Sequence, residues 1–226
     1  MVRFAPALVG LLLAGLAIAA DLDALVQKLR STNVDERREA ARALAELGPD
    51  AKGATKSLTV ALSDRDRFVR RFAAQALGSI GPSATGLAVD PLSKLLSAPG
   101  EAKEVQEAAA KALGVMGSKA IDPLVTALKN KRLDNSVRQT AAESLGNMRE
   151  AAVPAVPALI GALDDPSVRA AAVGAIGQIG PPAKSAEKDL REILEDKGLR
   201  RDKALRASVQ ASLKKIGGKP AVPAKN

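Results

Sequence analysis

An arginine recurs near the start of five similar segments, each resembling Val-Arg-x-x-Ala-Ala-x-Ala-Leu-Gly. These residues are Arg37, Arg70, Arg138, Arg169 and Arg206, and we call them the ladder arginines because they recur once per segment, like the rungs of a ladder. A guanidinium presents a planar fork of N–H groups that matches carboxylate or phosphate. The arginines therefore either form an anion-binding track or pair with aspartates of nearby turns, such as Asp66, Asp134, Asp165 and Asp202. We favour the pairing, because the arginine recurs whatever surrounds it, as a packing role requires.

The residue types that usually perform catalysis are largely missing. The chain has no His, Cys, Trp or Tyr, and Phe occurs only at positions 4, 68 and 72. Without imidazole or thiol, the soft metal sites and most acid–base or thiol chemistry near neutral pH are excluded. The carboxylates form no recognisable acid–base pair. The sequence therefore predicts a non-enzymatic protein without cofactor or metal.

The arginine segments belong to a longer repeat. The copies close at residues 48, 81, 117, 149, 180 and 217, a period of about 31 to 37 residues. A fixed period in this range indicates a solenoid, in which each unit packs only on its neighbours. We therefore expect one elongated all-α domain over residues 20–217, formed by about six helix pairs.

Each unit contains two amphipathic segments, helix A and helix B. Helix B carries the arginine, and we number its thirteen positions from the residue before that arginine. Positions 1, 5, 6, 8, 9 and 12 are mostly apolar or Ala, the spacing of a helix with one broad buried face. The closing Gly predicts a positive-φ cap. Helix A is predicted at residues 22–29, 54–62, 88–96, 121–128, 153–163 and 183–194, with Pro91 and Pro123 in first turns.

The pattern Asp-x-x-x-Val-Arg-x-x-Ala-Ala-x-Ala-Leu-Gly-x-Ile-Gly resembles HEAT repeats, specifically the HEAT-like class of phycobilisome lyases. The likeness covers residues 21–217 and implies a right-handed, armadillo-like α-α superhelix. It also implies that helix A lines the convex side and helix B the concave side. In such repeats the turn Asp and the helix-B Arg form a ladder between units, which Gln106 would interrupt in unit three.

On this model, positions 3, 7 and 11 of helix B point into the concave groove. The side chains that line the groove are then charged at its N-terminal end and mostly small and uncharged at its C-terminal end. We predict a scaffold that binds an unidentified partner protein or peptide there. The candidate contact residues are Arg38, Arg42, Arg71, Phe72, Gln75, Lys111 and Glu143. An alternative for Phe72 is simple packing between the first two B helices.

Two other functions remain open. The formal charge of +9 permits weak polyanion or nucleic-acid binding along one basic edge, which would weaken steeply with salt. The clusters that would form this edge are Arg65, Arg67, Arg70 and Arg71; Lys129, Lys131 and Arg132; and Lys197, Arg200, Arg201 and Lys203. The second alternative is an enzyme of the phycobilin-lyase type. A groove without His, Cys, Tyr or Trp is poorly suited to hold and isomerise a tetrapyrrole.

Residues 1–19 have the pattern of a secretory signal peptide: Arg3, an apolar core over residues 8–18, and Ala17-Ile18-Ala19 as the cleavage site. Cleavage after Ala19 is favoured over retention as an anchor, because Pro6 and two glycines interrupt a segment already short for a membrane span. We expect an exported monomer, periplasmic or extracellular, with no membrane span after cleavage. Residues 218–226 are predicted to be a disordered basic tail.

Overall fold

The computed structural model describes residues 21–217, so the predicted signal peptide and basic tail lie outside the described residues. Helix α1 covers residues 21–28. The others are α2 Val34–Leu47, α3 Thr55–Ala61, α4 Arg67–Ile80, α5 Thr85–Ser97, α6 Lys103–Leu113, α7 Ile121–Lys129, α8 Asn135–Asn147, α9 Val156–Gly161, α10 Arg169–Ile179, α11 Glu187–Glu195 and α12 Lys203–Lys215. Within residues 21–217, no helix has the length and apolar character needed to cross a membrane.

The helices form six antiparallel pairs arranged in a row. The even-numbered helices are the B helices, and each packs on the next: α2 on α4, then α6, α8, α10 and α12. The A helices α3, α5, α7, α9 and α11 pack on the B helix of their own unit and touch one another less extensively. The B row is therefore the tightly spaced, inner side of the row. The predicted all-α solenoid is confirmed.

The ends of the units follow the predicted glycine pattern. The glycines that close the B helices have φ between 59° and 82°, at Gly48, Gly81, Gly117, Gly180 and Gly217. Arg149 takes this place in unit four, with φ 52°. Helix A begins differently from the prediction in unit three: α5 starts at Thr85, so Pro91 lies inside the helix rather than in its first turn.

Small residues set the distance between successive B helices. Glycine occupies position 10 of the B segments in units two to five, facing position 8 of the next B helix. A Cβ added to Gly78 would lie 3.1 Å from the Cα of Ala112, and one added to Gly146 would lie 2.7 Å from the Cα of Ala175. The other two contacts are Gly114–Ser144 and Gly177–Ser212. These backbones approach too closely to admit a side chain at position 10 without a shift.

Three ladder arginines join their own unit to the next. The guanidinium of each pairs with a carboxylate in the following A–B turn. The pairs are Arg37–Asp64 (2.8 Å), Arg70–Glu101 (2.6 Å) and Arg138–Asp165 (2.6 Å). Each guanidinium also donates to backbone carbonyl groups of its own unit, such as that of Leu128 for Arg138. Because the side chains are largely buried, these bonds tie the turns of neighbouring units together.

The ladder stops at two junctions of the described chain. Gln106 replaces the arginine in α6 and donates to the carbonyl oxygen of Ala98 (3.1 Å). Arg169 donates to carbonyl oxygens of its own unit, with Leu163 at 2.6 Å, and has no carboxylate partner within residues 21–217. In the last unit, Arg206 donates to the carbonyl oxygen of Leu194 (2.6 Å).

Of the aspartates named as partners, only Asp165 pairs with a ladder arginine. Asp66 instead accepts from Arg38 Nη2 (2.6 Å). Asp134 and Asp202 accept backbone N–H groups as N-caps of α8 and α12. The pairing predicted for these three is wrong, because each lies at the helix start, where its carboxylate is within reach of unpaired backbone donors.

Gly174 and Gly177, both on α10, provide a test of the interhelical distance. Nothing lies within 4 Å of a Cβ at Gly174, whereas one at Gly177 would lie 2.9 Å from the Cβ of Ser212. We expect Gly174→Ala to raise the free energy of unfolding by about 0.5–1 kcal/mol. Gly177→Ala should lower it by about 1–3 kcal/mol through overpacking. Urea unfolding followed by circular dichroism measures both, and equal stabilisation by the two variants would contradict the packing argument.

The turn carboxylates predict acid sensitivity. The hydrogen bond from Arg38 lowers the pKa of Asp66 to about 2. Hydrogen bonds from the Ser167 hydroxyl and from Arg138 also hold the pKa of Asp165 below its ordinary value. A lowered pKa contributes stability above the ordinary aspartate range, and this contribution is lost as the pH falls through the lowered values. The free energy of unfolding should therefore fall between about pH 4 and about pH 2.

Asp165→Asn should reduce stability near neutral pH and flatten this acid profile. Asp164→Asn is the matched control, because the Asp164 side chain is exposed and has no partner within residues 21–217. Denaturant unfolding across the pH range measures both variants. An unchanged acid profile in Asp165→Asn would show that this carboxylate does not stabilise the junction between units four and five.

Candidate partner-binding groove

A groove cavity of about 680 Å³ lies over three consecutive B helices, α2, α4 and α6. Its charged and amide side chains are Arg42, Glu46, Arg71, Gln75, Glu104, Glu107 and Lys111. Between them lie small residues that let the cavity extend down to the helix backbones: Ala45, Gly78, Ser79, Ala108 and Ala112. Val115, 45% exposed, adds an apolar patch at the edge. Adjacent B helices build this surface because their third and seventh positions point away from the core.

Four of the predicted contact residues line this cavity together: Arg42, Arg71, Gln75 and Lys111. The other three do not line it. Phe72 is partly buried against the core, and Glu143 is exposed farther along, on α8. Arg38 is held by Asp66, with its Nε 2.9 Å from Oδ1, and by Asp35. Arg38 therefore fastens α2 to the start of α4.

Glu104 lines the groove but was not predicted from the sequence as a contact residue. It lies one residue before position 1 of its helix, so a template restricted to positions 3, 7 and 11 passes over it. Glu46 and Glu107 occupy template positions but were not chosen as contact residues. The signal that would have found all three is negative charge in the last turn of one B helix, α2, and in the first two turns of another, α6.

The groove carries balanced charge. Three cationic side chains, from Arg42, Arg71 and Lys111, face three carboxylates. Arg42 Nε lies 3.6 Å from Glu46 Oε1, and both side chains are more than half exposed, so this pair is weak. Such a surface suits a segment of mixed charge better than a uniformly charged polymer.

Polar residues at position 3 of the B helices hydrogen-bond to the next unit, whereas units five and six carry Ala170 and Ala207 there. In unit one Arg38 pairs with Asp66, the N-cap of α4. The Glu107 carboxylate in unit three accepts from the Ser136 hydroxyl at the start of α8. In unit four the amide of Gln139 donates to a backbone oxygen of unit five. These bonds satisfy the polar groups along the turn edge of the groove.

Arg71, at position 3 of unit two, is the exception. Its guanidinium carbon lies 4.9 Å from the centre of the Phe72 ring and 5.5 Å from that of Phe68. Its Nε–H is shielded from solvent and has no hydrogen-bond acceptor within residues 21–217. Arg38 and Arg67 also lie over Phe68, at 5.0 Å and 4.9 Å. The two phenylalanines of the described chain thus lie in one cluster of arginines.

The basic clusters lie in alternate turns. Ladder pairs join units one and two, two and three, and four and five, and the repeat places the exposed cations near residues 65–67, 129–132 and 197–203 on the same edge. The intervening turns carry Glu101 in unit three and Asp164 and Asp165 in unit five. The basic edge is therefore interrupted rather than continuous. Within residues 21–217, no cluster of acidic side chains could hold a metal ion.

Comparison with known structures places this architecture among α-solenoids. The karyopherin Kap121p bound to the SUMO protease Ulp1p superimposes with a TM-score of 0.68 at 20% identity, over 88% of this chain and 23% of that chain. Kap121p bound to Pho4p gives the same values. At this identity the likeness shows the fold, and the chain spans about a quarter of the karyopherin's length.

A second type of solenoid is also similar. The complex of CpcE and CpcF of phycocyanin lyase from Nostoc sp. PCC7120 matches with a TM-score of 0.58 and 25% identity, over 87% of this chain and 77% of that chain. A search of curated proteins gives no match. The family model described as HEAT repeats matches residues 22–102 and 89–168. With the repeated helix pairs and the B-helix signature, this match shows that the chain belongs to the HEAT-repeat family.

Proposed function

We propose that this protein is a non-catalytic scaffold that binds a segment of a partner protein along the α2–α4–α6 groove. The observation that carries the proposal is the gathering of Arg42, Arg71, Gln75 and Lys111 in one cavity with three glutamates. A peptide segment offers backbone amides and side chains of both signs, which this lining matches. The solenoid relatives described as bound to partner proteins support the same use of the fold.

The mechanism is binding to a preformed surface. The B helices are spaced by small residues and tied by ladder pairs, so the groove side chains project from a rigid base. The shallow floor of Ala, Gly and Ser lets a partner backbone approach closely. Without Trp or Tyr anchors, affinity would come from many modest polar contacts.

The likeness to a phycocyanin lyase raises an enzymatic alternative, which we do not adopt. The groove lining consists of Arg, Lys, Glu, Gln, Ser, Val and small residues. It therefore contains no thiol or imidazole for covalent or acid–base work on a chromophore. Incubation with a phycobilin tests this directly, since turnover would change the absorbance spectrum.

We also propose that the protein acts outside the cytoplasm, with residues 1–19 as its export signal. Expression of the full-length chain in its source organism, followed by fractionation and N-terminal sequencing, tests this. A mature chain beginning at Ala20 in the exported fraction is expected. An intact N-terminus in the cytoplasm would contradict the proposal.

Charge reversal tests the groove. Arg42→Glu with Lys111→Glu should weaken capture of the partner about tenfold or more, because two groove cations become repulsive to the same ligand groups. Lys94→Glu with Lys184→Glu is the matched control, since both lysines are exposed outside the groove and the net charge change is identical. Quantitative pull-down from an extract of the source organism, followed by titration of the purified partner, measures the effect.

Equal retention of every bound protein by both double variants would contradict the groove proposal. Retention on heparin that both variants lose equally, and that moderate salt abolishes, would instead favour the basic edge.

A further inference from the structure

Arg71 is a half-buried arginine whose Nε–H is shielded from water and has no hydrogen-bond acceptor within residues 21–217. The ladder arginines all donate to acceptors in their own or the next unit, and Arg38 is fixed by two carboxylates. Arg71 has no salt bridge within residues 21–217, and its Nε–H has no acceptor there although water cannot reach it. A shielded charged donor without a partner is costly, so this one needs an explanation.

The cause lies in the next unit. Arg38 pairs with Asp66, and Asp66 is the N-cap of the following B helix. The equivalent partner for Arg71 would be the N-cap of α6, which is Ala102 and has no side-chain acceptor. Glu104 and Glu107 lie in the same cavity, but neither forms an ion pair with Arg71 within residues 21–217, and Glu107 Oε1 accepts from the Ser136 hydroxyl of the following unit. Arg38 therefore has the Asp66 carboxylate opposite it, whereas Arg71 has no carboxylate at the equivalent place.

The guanidinium is nevertheless held in place. Its stacking on Phe72 and Phe68 is a cation–π contact that restricts the side chain and displaces water from its faces. A pre-oriented planar fork loses little conformational entropy when it binds. Because Arg71 is half-buried and lines the groove cavity, a group lying in the groove can reach the outer part of its guanidinium.

We propose that Arg71 binds a carboxylate of the partner segment, either an Asp or Glu side chain or a C-terminus, in the place that an N-cap aspartate occupies one unit earlier. The inference rests on the proposed function and specifies the chemistry of the partner. A single carboxylate is expected rather than an acidic run, since Glu46 and Glu104 lie in the same cavity and repel further negative charge. The residues that flank the acid in the partner are therefore neutral or basic.

The test is selection from a random twelve-residue peptide display library on the purified protein and three variants. The wild type should select groove-dependent peptides with Asp, Glu or a free C-terminus at one position. Arg71→Gln should lose that preference, and the Asp-to-Asn change in a selected peptide should weaken wild-type binding about tenfold. Fluorescence anisotropy with labelled peptides measures the affinities.

The two remaining variants separate recognition from folding. Ala102→Asp supplies the missing acceptor, so it should cap α6, raise the denaturation midpoint and yet abolish the acidic preference. Arg67→Gln is the matched control: Arg67 also lies over Phe68, but it does not line the groove cavity, so the preference should persist.

The outcomes distinguish the two proposals. Groove-dependent peptides without an acidic position would overturn the role of Arg71 and leave the scaffold function standing. An acidic preference that survives Ala102→Asp or Arg71→Gln would likewise overturn it. If Arg42→Glu with Lys111→Glu leaves every selected peptide bound as before, the groove proposal and this inference both fail.

Discussion

The structure depends on the contact between successive units. A helix pair of Ala, Leu and Val cannot bury its apolar face alone, so each unit is stable only against its neighbours. Glycine, alanine and serine at the meeting points of the B helices allow the backbones to approach within contact distance. This close spacing keeps the inner row rigid, and rigidity is what a binding surface made of long polar side chains requires.

Polar side chains at the turns, like the packed B helices, connect each unit to the next one. The ladder arginines, Arg38 and Gln139 donate to acceptors in their own unit or the next, so few shielded donors within residues 21–217 are left unsatisfied. Against this background Arg71 is conspicuous, because the chain places Ala102 where an aspartate would complete the pattern. A local departure from a repeated pattern points to use by a partner, since the fold gains nothing from it.

The groove combines small residues with balanced charge, and this combination constrains what it binds. It lacks the large aromatic anchors that dominate many interfaces, so binding energy must be spread over several polar contacts. Screening by salt acts on exposed groups such as Arg42 and Glu46 more than on the half-buried Arg71. Arg71 is therefore the one groove cation whose contribution should depend least on ionic strength.

The architecture was determined by the sequence alone, because period, helical faces and closing glycines are short-range properties that each unit repeats. Tertiary structure decided which acceptor each long side chain meets: Asp64 rather than Asp66 for Arg37, and Glu101 for Arg70. It also placed Arg42, Arg71, Gln75 and Lys111 in one cavity and withdrew Arg38 from it. A guanidinium reaches several acceptors within a few ångströms, and the offset between packed units selects among them. All the contacts between two units together set that offset, so a local sequence pattern does not encode it.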